Sequence, residues 1–294
     1  MIGARITLWL VAGLAMGLST AIAALDEAPR EVRLEEKKLE ALSAFPMDEL
    51  AFKALALAPQ KWKHAETPHF IVHYRRATEA QKVVREVEYD LWFAARALGA
   101  SNEQIAHKSH VFIFQDRREW EEFRGQVGFM EWSSSVACGG NLYLHVGGMG
   151  ENFNSNTLAH ETAHAVVDRI YPGHPWPHWL NEGFAEYCGS ASIATRKQVW
   201  AKGILPPLSD ATYPLEELTA IIGYPKDRDD VRRFYQTSEK LVCFLITDLP
   251  AERFPRLVGE IIAGTPFTAA AAKVYGDQVG DYTGFVRRYN RFAR

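Results

Sequence analysis

The sequence predicts an α+β fold whose C-terminal part is helical, and three observations lead there. Residues 70–74, 111–114 and 141–146 are short runs rich in β-branched and aromatic residues, the composition of buried strands. Between the first two lies a 3.6-residue apolar repeat, and after the third an apolar, helix-prone segment begins at Thr157. Beyond Glu186 the apolar and aromatic residues recur at helical spacing.

Taken in order, the chain opens with Arg5, an apolar run over 6–18 and the small-residue stretch Ser19-Thr20-Ala21-Ile22-Ala23-Ala24. That pattern predicts a secretory signal peptide over 1–24, cleaved after Ala23 or Ala24, hence an exported protein, periplasmic or secreted, with no stable membrane span after cleavage. An uncleaved anchor is the alternative, weakened by the shortness of the run. Residues 25–66 are charged on most faces and read as a helical N-terminal arm. Residues 67–294 form the main domain, with its helical C-terminal part from about residue 196.

Within that domain, 70–74 is a strand in which His73 reads as a sheet residue rather than a ligand. Residues 78–98 are an amphipathic helix with Val83, Val87, Leu91, Ala94 and Leu98 on one face, closed by Gly99. Asp116 and Glu119 have capping-box spacing and open a short helix through Phe123. Asp229 and Asp230 read as the cap of a helix reaching about Asp248, and Tyr282, Phe285 and Tyr289 as core aromatics of the last helix.

The chain has 294 residues, 47% hydrophobic and 23% charged, with a net charge of −3. That is ample for a core, and the absence of a basic block argues against nucleic acid as a partner. Cys138, Cys188 and Cys243 have no C-x-x-C spacing, and nothing marks any of them as a nucleophile. In an exported protein two of them could pair, Cys188 with Cys243 being one choice.

Chemistry concentrates in His160-Glu161-Thr162-Ala163-His164. On a helix, residues four apart share a face, so the two imidazoles point the same way about one turn apart and can reach one tetrahedral Zn²⁺. Glu161, on the flank of that face, is placed to take a proton from water polarised by such an ion. A catalytic zinc site needs a third protein ligand. In the metzincin pattern a glycine and a histidine would stand where Val167 and Ile170 do, so that pattern fails. Asp168 and His178 are rival ligands; Asp168 reads as a helix-end charge pair with Arg169, and His178 lies in a Pro-rich loop.

Downstream stands Trp179-Leu180-Asn181-Glu182-Gly183-Phe184-Ala185-Glu186-Tyr187, separated from the first helix by the turn-rich Tyr171-Pro172-Gly173-His174-Pro175-Trp176-Pro177. H-E-x-x-H followed by N-E-G-x-A-E resembles the gluzincin zinc metallopeptidases, and among them the small bacterial peptidase-MA-like domains. The resemblance implies a zincin-like domain, a small mixed sheet with an active-site helix. It implies one zinc ion on His160, His164 and Glu182, with Glu186 as the carboxylate that orients His160. It also implies that the edge strand above the active-site helix, sought here in 133–146, pairs with an extended peptide. A His or Tyr downstream donates to the developing oxyanion in gluzincins, a tyrosine opening Y-x-x-G in the aminopeptidase branch. Tyr235-Gln236-Thr237-Ser238 is similar to that phrase, with serine in place of glycine. The alternative is a core tyrosine, with His174 or His178 as donor. Gly147-Gly148-Met149-Gly150-Glu151-Asn152 is similar to the amine-binding G-x-M-E-N of the aminopeptidase branch, but it carries an extra glycine and lies too near His160. It reads as a turn into the helix.

The expected function is therefore hydrolysis of a peptide or protein substrate by a zinc metallopeptidase with Glu161 as general base and Tyr235 as oxyanion donor. Two alternatives stay open: a catalytically weak zincin-fold protein that binds or assembles peptides, and a zinc hydrolase of non-peptidic substrates. An intact Glu161 favours the enzyme, since a binder needs no base there. The sequence leaves the oligomeric state, the cleaved sequence and endo- or exo-action unspecified.

Overall fold

The computed structural model describes residues 27–29, 31–43, 47–129, 133–146, 154–196 and 212–292. Six strands form one mixed sheet: β1 (Glu35–Lys37), β2 (Lys63–Glu66), β3 (Phe70–Tyr74), β4 (Ser109–Phe114), β5 (Ser135–Cys138) and β6 (Asn141–His145). Their order is β1-β2-β3-β4-β6-β5, with β3, β4 and β6 parallel and the remaining neighbours antiparallel. The helices are α1 (Glu49–Ala56), α2 (Ala77–Ala97), α3 (Asn102–Ile105), α4 (Arg117–Val127), α5 (Ser155–Ile170), α6 (His178–Arg196), α7 (Leu215–Ala220), α8 (Arg228–Thr247), α9 (Phe254–Ile262), α10 (Phe267–Val279) and α11 (Tyr282–Tyr289). The α+β class and the helical C-terminal part are as the sequence predicts.

Side-chain alternation sends the two faces of the sheet into different cores. Phe70, Val72, Val111, Ile113, Leu142 and Leu144 face α2, α5 and α6, in a core that continues through α8 to the buried Phe285 and Tyr289 of α11. Phe112, Phe114 and Tyr143 face the other way, against Trp62, Ala51 and Ala54 of α1, and Trp120 and Phe123 of α4.

Several expectations need correction. The N-terminal arm is not all helical, because β1 and β2 extend the sheet from within it. Asp116 does cap α4, accepting from the Arg118 and Glu119 amides, but Glu119 turns away to Lys61 and Arg75 and the helix runs on to Val127. The cap of α8 is Asp227, whose carboxylate accepts from the Asp229 and Asp230 amides; those two aspartates occupy the first turn, where the helix dipole favours them. All three cysteines are free thiols, Cys188 and Cys243 buried. Among the described residues no helix is long and apolar enough to cross a membrane, and the expected signal peptide lies outside them.

Two glycines of α6 set how the site is assembled. A Cβ on Gly183 would stand 2.4 Å from the Ser238 carbonyl oxygen, so only glycine lets α8 come this close. On another face, a Cβ on Gly189 would lie 3.0 Å from the Asn156 carbonyl oxygen of α5. α6 is thus clamped between the helix of the H-E-x-x-H segment and the helix of Tyr235.

Candidate metal centre

Asn154 starts α5, its side chain accepting from the Asn156 and Thr157 amides. Leu158, Ala159, Ala163, Val166 and Ile170 are then buried, which turns His160, Glu161 and His164 toward β5 and α6. The Nε2 atoms of His160 and His164 are 3.1 Å apart. Glu182, buried one turn into α6, places Oε2 3.5 Å from each of them. These three side chains are the one group among the described residues whose ligand atoms converge closely enough to hold a metal ion.

Outer partners fix each imidazole. Glu186 Oε1 lies 3.2 Å from His160 Nδ1, and Asn181 Oδ1 lies 3.2 Å from His164 Nδ1. Burial opposes a charge on His160, yet the Glu182 and Glu186 carboxylates outweigh it and raise the imidazole to about 10. Glu182 moves the opposite way: burial pushes its carboxyl up, but the two imidazoles pull it well below the ordinary range. The two shifts are the two sides of one interaction, each group favouring the charged form of the other.

The residues fit a zinc ion. Tetrahedral coordination at 2.0–2.1 Å sets ligand atoms about 3.3 Å apart, close to the 3.1 and 3.5 Å edges of this triangle. Glu182 Oε2 is buried without a hydrogen-bond donor, a position that costs free energy unless a cation satisfies it. Two imidazoles and a carboxylate are also a ligand set that zinc accepts.

Compared with known proteins, the chain matches no family model and no curated protein.

Glu161 meets the edge of the sheet. Ser134 pairs with His145, so along β5 the alternate residues Ser135 and Ala137 turn their backbone groups outward. The Ala137 amide donates to Glu161 Oε2 at 2.8 Å, and the Ser135 hydroxyl approaches Oε1 at 3.5 Å. Burial raises the Glu161 carboxyl, opposed by His160, His164 and the Ala137 amide. Of the segment 133–146, then, only β5 is an edge; β6 is interior, joined to it by a two-residue turn at Gly139 and Gly140, both at positive φ.

The rivals lie elsewhere. Asp168 accepts from the Gly140 amide at 3.1 Å, and Arg169 reaches the Ile105 and His69 carbonyls and Ser109, so the expected Asp168–Arg169 pair is not formed. Adjacent helical residues diverge by about 100° and cannot pair readily. His178 opens α6 with its ring edge-on to Tyr224. His73 is buried in the sheet, linked at 2.9 Å to both His64 and His110, as a sheet residue should be. The segment 147–152 lies outside the described residues.

Tyr235 is half-buried on α8, close enough to Glu182 that burial and this carboxylate both raise its hydroxyl far above the ordinary value. Sequence reasoning missed Tyr224, on the link between α7 and α8, whose hydroxyl donates to Glu182 Oε1 at 2.5 Å. It sits in no periodic pattern and belongs to neither motif. Asn181 was also missed as a partner of His164, although its place beside Glu182 was a usable signal.

Proposed function

We propose that this protein is an exported zinc metallopeptidase of the gluzincin type, with a zincin-like fold, hydrolysing peptide bonds in a peptide or protein substrate. The observation that carries the reading is the convergence of His160, His164 and an otherwise unsatisfied Glu182 oxygen beside a carboxylate held on a sheet edge. Bound there, zinc supplies Lewis acidity, polarising a carbonyl and lowering the pKa of water to about 7.

The protein's own groups do the remainder. Glu161 accepts the proton of the attacking water and passes it to the leaving amine. Its hydrogen bond from the Ala137 amide fixes the carboxylate's orientation, while burial keeps it basic enough for the task. An extended peptide laid along β5 finds the outward backbone groups of Ser135 and the Ala137 carbonyl, the Ala137 amide being held by Glu161, which orients the scissile bond across α5. The Tyr235 hydroxyl, kept protonated by its surroundings, donates to the oxygen on which negative charge builds. Glu186 and Asn181 hold the two imidazoles with Nε2 turned to the Glu182 carboxylate, where the ion would be held.

The reading is tested by elemental analysis of the purified protein and its incubation with a diverse peptide library, with and without chelator, read by mass spectrometry. One zinc per chain and chelator-sensitive cleavage are expected. Zinc binding with an untouched library would move the protein to the peptide-binding class.

A further inference from the structure

We infer that Tyr224 is a positioning residue of the metal centre: its hydroxyl occupies Glu182 Oε1 and leaves Oε2 as the one carboxylate oxygen offered to a metal ion. The inference rests on the zinc reading above and extends it to a residue outside both motifs.

A carboxylate can meet zinc through one oxygen or two, and what its second oxygen is bonded to decides between them. In Glu182 the two oxygens have different surroundings. Oε1 accepts the Tyr224 hydroxyl at 2.5 Å, whereas Oε2 is buried, takes no hydrogen bond and lies 3.5 Å from both Nε2 atoms. An O–H···O⁻ bond draws charge from Oε1 and occupies one of its lone pairs, so a metal entering the triangle would meet Oε2 first. Each ligand then has an outer partner: Glu186 for His160, Asn181 for His164 and Tyr224 for Glu182, with Tyr235 also beside that carboxylate. Metal centres use such partners to fix ligand direction and basicity.

The ring of Tyr224 is itself held. It stands edge-on to His178 at 4.8 Å and 81°, edge-on to Phe234 at 6.3 Å, and parallel to Tyr235 at 6.3 Å and 13°. These contacts come from α6 and α8, the helices that carry Glu182 and Tyr235. Unlike Glu186 and Asn181, however, Tyr224 comes from a surface link. It follows Gly223, at φ +77°, and Ile222, which is 98% exposed. The set of outer partners is thereby completed by a tyrosine delivered from outside the helix pair, which explains why neither motif records it.

The test uses the full chain and zinc itself. Affinity is measured by competition with a chromophoric chelator, and ligand geometry from the visible bands of the Co²⁺-substituted protein. Tyr224→Phe is expected to lower zinc affinity about 10–100-fold and to change the Co²⁺ bands as the released oxygen joins the coordination sphere. Its metal-free form should melt with the parent, and Ile222→Ser should leave both readouts unchanged. In a Glu182→Ala background Tyr224→Phe should have no further effect, because its action runs through that carboxylate. Parental affinity and bands in Tyr224→Phe, or a variant that loses its fold before metal is added, would overturn the inference. A parent chain that binds no zinc would instead remove the reading beneath it.

Discussion

Glu186 Oε1 lies 3.2 Å from Nδ1 of His160, on the side of the ring away from the Nε2 that faces His164 and Glu182. One helical turn of α6 therefore supplies both a ligand and the group that aims another ligand, since Glu182 and Glu186 are four residues apart on one face. Glu186→Ala is expected to lower zinc affinity or activity about 10–100-fold, the usual scale for such partners. A competitive zinc titration and a rate both equal to the parent's would assign Glu186 to the surface.

Tyr235 and Tyr224 stack near the same carboxylate, and their roles separate by measurement. Tyr235→Phe should keep zinc content and stability while lowering kcat about 100-fold, the scale for loss of one oxyanion donor. A fall in thermal stability with unchanged kcat would make Tyr235 a packing residue instead.

Gly183 carries the approach of α8 to α6. Gly183→Ala puts a methyl into the Ser238 carbonyl and is expected to destabilise the fold by about 1–3 kcal/mol and to weaken zinc binding with it. Gly189→Ala, meeting Asn156 at 3.0 Å, should cost less. Chemical denaturation of both variants checks the order; equal stability of Gly183→Ala and parent contradicts the close packing.

Asp90 on α2 makes stability fall as pH rises. It is buried against α6, accepting from Ser192 at 2.9 Å through one oxygen while the other has no donor. Burial dominates, opposed by Arg196 and Ser192, and raises the carboxyl from an ordinary 3.8 to about 7. Between about pH 4 and 7 the unfolded chain gives up this proton while the folded chain keeps it, so the folded state loses stability across that window. Asp90→Asn should raise the melting temperature by several degrees at pH 8 and hardly at all at pH 4. Equal shifts at the two pH values would contradict the assignment.

Legibility in the sequence followed periodicity. The apolar face of α2 and the strands β3, β4 and β6 announce themselves because burial leaves a period in the residues. β1 and β2 do not. Glu35, Glu36 and Lys37 form an edge strand with little burial, and charges suit an exposed edge. β2 has one apolar residue, Ala65, between His64 and Glu66, which turn to a polar face where Glu66 meets Lys37 and Lys108. Such strands read as helix or loop when charge is the only signal. At the centre, helical spacing made the pairs His160–His164 and Glu182–Glu186 legible, while the joining of the two pairs rested on the resemblance of the two motifs. Tyr224 and the Ala137 amide were not, since one comes from a link and the other is backbone.

The most direct measurement of the central claim is peptide hydrolysis by zinc-loaded Glu161→Gln protein against the parent. The amide keeps the side chain's shape and can still face the β5 edge, but it cannot accept the water's proton. Unchanged zinc content with a rate about 10²–10⁴-fold lower is expected. A zinc-loaded Glu161→Gln protein that cleaves at the parent's rate would contradict the assignment of Glu161 as the base, and with it the proposed mechanism.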